Sequence, residues 1–74
     1  MEYNNFTIRL KENYSNLTEQ DIKLCCLLLA NFETGMIATI FNVNNHSIIV
    51  MRSRLRNKLY LQTSDNLIEF LRQF

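Results

Sequence analysis

The chain has no proline, and its single glycine is Gly35. Little in it breaks a helix outright, while Leu, Ile, Asn and Lys are plentiful, so the pattern favours an all-helical chain with polar breaks. At 74 residues it makes one domain, and roughly 60% of the unfolded surface can be buried at this size, enough for a thin core. A hydrophobic content of 47% with a net charge of +1 argues against disorder. The longest apolar run, Leu24 to Ala30, is too short to span a bilayer, and no secretory leader pattern precedes it. The two cysteines, Cys25 and Cys26, are adjacent and poorly placed to bridge, which points to a reducing, cytoplasmic setting.

Helix starts are marked more clearly than helix stops. A hydrophobic residue before an N-cap, paired with the fourth helical residue, forms a hydrophobic staple. Leu17-Thr18 with Ile22 fits this pattern, with Asp21 at the capping-box position, and Val43-Asn44 with Ile48 fits it again. Phe32 and Ile37 share the spacing, with Glu33 a poor cap and Thr34 able to take its place. These signals predict helices over about Glu19–Ala30, Thr34–Phe41 and Asn45–Tyr60. A first helix over about Asn4–Tyr14 is expected to pack through Phe6, Ile8, Leu10 and Tyr14, although the alternation from Phe6 to Leu10 also suits a strand. A last helix is expected over about Asp65–Gln73. The expected fold is a small all-α bundle of four to five helices. Its third and fourth helices, joined by Asn42-Val43-Asn44, make a helix-turn-helix pair.

Charge is partitioned along the chain. None of the seven acids falls between Thr34 and Ser64, a stretch that holds Arg52, Arg54, Arg56 and Lys58 and so carries +4, while the rest carries −3. Such a stretch can be an electrostatic footprint on phosphate even when the whole chain is nearly neutral. At about 100° per residue, Ile48, Met51, Leu55 and Leu59 share the core side of the long helix. The opposite side presents His46, Val50, Ser53 and Asn57, with Ile49 beside them. Arg52 and Arg56 lie on one edge of that strip, and Arg54 and Lys58 on the other. A helix entering a major groove needs small polar or apolar groups toward base edges and cations toward the phosphate walls. No arginine or lysine sits at the centre of the strip to grip guanine. Modest sequence specificity, or a dimer to raise it, is the expectation.

From Leu17 to Leu61 the chain resembles the LuxR/GerE-type helix-turn-helix output domain of bacterial transcription regulators. The resemblance rests on Leu17-Thr18-Glu19-Gln20-Asp21, Ile37-Ala38, Val43-Asn44, Ser47-Ile48, Arg52, Leu55 and Lys58-Leu59. The run from Arg52 to Leu59, with Asn66-Leu67 and Phe70-Leu71, looks like a subgroup often fused to tetratricopeptide-repeat sensors. The resemblance implies a winged-helix-like three-helix core plus a final helix, an added N-terminal helix here, and the C-terminal part of a longer regulator. It places base-facing positions at Ile49, Val50 and Ser53, and backbone contacts near Thr34, Asn45, Ser47, Arg54 and Lys58. The family's usual glycines fall on Asn31 and Tyr60, its capping serine on Glu33, an acidic residue on Met36 and a histidine on Met51. Ile49 stands where the family often has a basic residue.

Double-stranded DNA is the implied partner, bound by a homodimer through the last helix. There Leu67, Ile68, Phe70, Leu71 and Phe74 carry apolar side chains on more than one face. No residue set resembles a catalytic, metal or cofactor site. His46 lacks ligand neighbours, and the cysteines read as small core residues. The chain is therefore expected to be non-enzymatic, without a small-molecule ligand or membrane contact. The alternative is a helix-turn-helix-derived protein-interaction module that has lost DNA binding, suggested by Glu33, Ile49 and Met51.

Overall fold

The computed structural model describes residues 2–74, with side chains described from Asn5 onward. Five helices follow one another: α1 (Glu2–Asn13), α2 (Glu19–Leu29), α3 (Thr34–Phe41), α4 (Asn45–Lys58) and α5 (Leu67–Gln73). No strand occurs among the described residues, and the all-α expectation holds. In α1 the helical period decides between the two readings of its alternating residues. Phe6 and Leu10, four apart, are buried, whereas Ile8 between them is 54% exposed and contributes nothing to the core.

The starts follow the caps. The Thr18 Oγ1 accepts the Asp21 N–H at 3.1 Å and the Asp21 carboxylate accepts the Thr18 N–H at 2.9 Å, closing a capping box on α2. Asn44 accepts the Ser47 N–H at 2.8 Å to cap α4, and Asn66 accepts the Glu69 N–H at 3.0 Å to cap α5. Glu33 occupies the cap position of α3 with no side-chain hydrogen bond.

The stops solve the shortage of glycine. Three helices end in Schellman motifs whose left-handed residue is not glycine: Asn31 (φ 65°), Asn42 (φ 59°) and Tyr60 (φ 62°). At each, the next amide reaches back across the last turn: Phe32 to the Leu27 carbonyl at 3.1 Å, Val43 to Ala38 at 2.9 Å and Leu61 to Arg56 at 2.9 Å. The residue making that bond is apolar every time. Phe32 and Val43 also precede the caps of α3 and α4, so one side chain closes a helix and introduces the next. Asparagine tolerates the left-handed region because its short side chain clashes little, whereas tyrosine pays the full steric cost. Tyr60 accordingly ends α4 at Lys58, two residues short of the predicted boundary. The Asp65 carboxylate accepts the Gln62 N–H at 2.8 Å, which leaves the capping role to Asn66 and starts α5 at Leu67 rather than Asp65.

The core runs through the middle of α2, where Leu24, Cys25 and Leu28 are buried, and α1 and α5 both pack on that helix. Ile37 from α3 and Ile48, Leu55 and Leu59 from α4 complete it, with α3 packed chiefly on α4. Burying one such leucine matters at the level of about 2–5 kcal/mol when it is cut to alanine. The predicted core stripe of α4 is therefore correct, with Met51 half-buried at its margin. This packing fixes which side of α4 faces away from the bundle.

Candidate nucleic-acid interface

Turning Ile48, Leu55 and Leu59 inward leaves Asn45, His46, Ile49, Ser53, Arg54 and Asn57 exposed on α4. Val50 and Ser47 are half-buried at the border of this face, and so is Thr34 in the first turn of α3. The predicted base-facing residues thus share one surface. Ile49, 57% exposed, is the largest apolar side chain open to solvent on it.

The four cations of α4 differ more than their spacing suggests. Lys58 does not extend freely toward a ligand, because its Nζ lies 2.5 Å from the Asp21 carboxylate of the α2 capping box. Asp21 is buried, and burial alone would raise its pKa. The hydrogen bonds from Lys58 and from the Thr18 backbone and hydroxyl outweigh that and hold it below the usual carboxylate value. Lys58 is therefore a strut between α4 and α2, its ammonium engaged by Asp21.

Arg56 is half-buried and directs its Nε toward the Asp65 carbonyl at 3.4 Å, across the α4–α5 connection. Arg52 is half-buried too, and burial, with Arg56 as a like-charged neighbour, lowers its pKa. Arg54 alone of the four is exposed, and it makes no hydrogen bond or ion pair among the described residues. One edge of the face therefore carries Arg52 and Arg56, and the other carries Arg54. No acid lies on α4.

The expected dimer surface is largely used within the chain. Leu67 and Leu71 are each 1% exposed and belong to the core, so neither has surface to offer a partner. Phe70 and Phe74 pack with α1 and the residue after it: Phe74 meets Phe6 edge-on at 6.2 Å and Tyr14 at 6.0 Å, and Tyr14 meets Phe70 at 6.5 Å. Arg9 lies over the Phe74 ring at 5.9 Å. Ile68 is half-buried against the core, and the exposed residues of α5 are Glu69, Arg72 and Gln73. Ile68, Phe70 and Phe74 are thus half-buried, the two phenylalanines in a cluster with Phe6 and Tyr14.

Sequence reasoning missed the Asp21–Lys58 pair. The two are 37 residues apart, and Asp21 was already accounted for by its cap. It also missed the aromatic seam, because Tyr14 stands at a predicted helix end and its partners stand at the far end of the chain. Among the described residues no cluster of His, Cys, Asp and Glu could hold a metal ion, and no helix is long and apolar enough to cross a membrane. No protein-family model, curated protein or solved structure matches the chain.

Proposed function

We propose that the chain is a LuxR/GerE-type DNA-binding output domain of a transcription regulator, with α4 as the helix that enters the major groove. The observation that carries this reading is the outward face of α4, where neutral side chains stand between two cationic edges with no acid among them. The backbone adds support. Both positions at which the family carries glycine, Asn31 and Tyr60, adopt the left-handed conformation that glycine takes most cheaply.

With Arg54 exposed and Arg52 and Arg56 half-buried, the cationic footprint is small, so one copy binds weakly and two copies sharing a two-fold site bind usefully. A dimer of this kind does not use Leu67 and Leu71, which are buried. Fluorescence anisotropy with random-sequence duplex DNA at several salt concentrations tests the reading. If Arg52, Arg54 and Arg56 each neutralise a phosphate, log K falls against log salt with a slope of about −2 to −3 per copy, and Arg54→Ala flattens it by about 1. A folded domain that binds no duplex at low salt refutes the proposal.

A second reading, a protein-interaction module, is favoured by Met36 and Ile40, which are 47% and 44% exposed on α3. It gains if Met36→Ser and Ile40→Ser abolish a partner interaction while DNA binding is absent in the parent chain.

A further inference from the structure

We infer that the outward face of α4 selects A·T base pairs through the C5-methyl group of thymine, an inference that rests on the DNA-binding reading above. In the major groove, guanine is most often gripped by a bidentate arginine or lysine, and cytosine offers an amino group to an aspartate or glutamate. Thymine alone presents a methyl group, and adenine pairs with a side-chain amide.

The centre of the α4 face lacks the first two readers. Lys58 is held by Asp21, Arg56 reaches the Asp65 carbonyl, Arg52 is half-buried beside Arg56, and Arg54 stands on the opposite edge. No acidic side chain occurs anywhere between Thr34 and Ser64 to accept from cytosine.

The face does hold the other two readers. Ile49 is a branched aliphatic side chain 57% exposed within an otherwise polar surface, with Val50 half-buried next to it. Closing a methyl group onto Ile49 removes apolar area from water on both partners. Asn57 lies on the same exposed face, two turns along from Ile49, with an amide that both donates and accepts. That matches the N6 and N7 pair of adenine. Ser53, one turn from each, accepts or donates without preference. Chemistry complementary to thymine and adenine stands at the centre of the face, while the one exposed guanidinium of α4, Arg54, stands at its edge and no acid is present there to read cytosine.

Three labelled duplexes of equal length test this by anisotropy: one rich in A·T pairs, the same sequence with deoxyuridine for thymidine, and one rich in G·C pairs. The thymine duplex is expected to bind more tightly than the G·C duplex. Deoxyuridine should weaken binding by about fourfold for each methyl group in contact. Ile49→Ser should bind the thymine and deoxyuridine duplexes with nearly equal affinity, with its helical circular dichroism unchanged. Equal affinity of the parent chain for thymine and deoxyuridine, or a preference for G·C, overturns this inference and leaves DNA binding standing. Failure to bind any of the three overturns both.

Discussion

Lys58→Met separates the structural part of α4 from its proposed binding part. Methionine keeps most of the aliphatic stem and deletes the ammonium group that faces Asp21 at 2.5 Å. The Asp21 carboxylate then remains mostly buried, with only the Thr18 N–H and hydroxyl left to hydrogen-bond it. An exposed pair is worth about 0.2–1 kcal/mol. Stranding a fully buried charge costs about 3–5 kcal/mol. The side chains here are 12% exposed for Asp21 and 32% for Lys58, between those limits. The expected loss is about 2 kcal/mol. In a domain this small that lowers Tm by roughly 8–16 °C.

The loss depends on pH in a defined direction. Asp21 is held below its unfolded value, so its contribution is present above the unfolded carboxylate pKa of about 3.9 and disappears as pH falls through the lower folded value. Urea titrations of parent, Lys58→Met, Asp21→Asn and the double variant across that window read the effect. The double-mutant cycle should show a coupling that shrinks on acidification. DNA affinity, normalised to folded protein, should change far less for Lys58→Met than for Arg54→Ala. If Lys58→Met leaves Tm unchanged and weakens DNA binding as strongly as Arg54→Ala, Lys58 is a phosphate ligand and the strut assignment is wrong.

Three further outcomes are expected. Tyr60→Gly relieves a left-handed tyrosine but gives up its ring contact with Tyr14 at 6.1 Å, and should stabilise the fold by a net of about 0.5 kcal/mol, read as a higher urea midpoint. Gly35→Ala should add about 0.5 kcal/mol, because Gly35 lies inside α3 with no positive φ and open space where a Cβ would project. A fall in either midpoint contradicts the backbone assignment at that residue. Burial, with Cys26 and Asp21 adding to it, pushes the Cys25 thiol up to about 12, so native protein at neutral pH should leave Cys25 unlabelled by a thiol reagent that reacts with both cysteines in denaturant.

What the sequence made legible was local. Thr18, Asn44 and their staples signalled the starts of α2 and α4 because a cap is written within four residues. The core face of α4 followed from the helical period. The ends of the same helices were harder to read, since asparagine and tyrosine carry no obligatory signal for a left-handed turn. Pairing across the bundle was not legible at all. Nothing local to Lys58 indicates Asp21, and nothing local to Phe70 or Phe74 indicates α1. Both bear on the candidate site: the Lys58 ammonium meets Asp21, and Leu67 and Leu71 lie in the core while Phe70 and Phe74 are half-buried beside Phe6 and Tyr14. Of the strip that the period placed outward, His46, Ile49, Ser53 and Asn57 are exposed, with Arg54 exposed at its edge, while Val50 is half-buried.

Mapping amide chemical shifts of the labelled domain during titration with duplex DNA at low salt tests the central claim most directly. The largest changes are expected at Asn45, His46, Ile49, Ser53 and Asn57, with Leu24, Leu28 and Leu71 unmoved and the changes reversed by added salt. Shifts confined to α1 and α5 or to the exposed side of α3, or no shifts at all from a folded domain, would contradict the assignment of α4 as the DNA-reading helix.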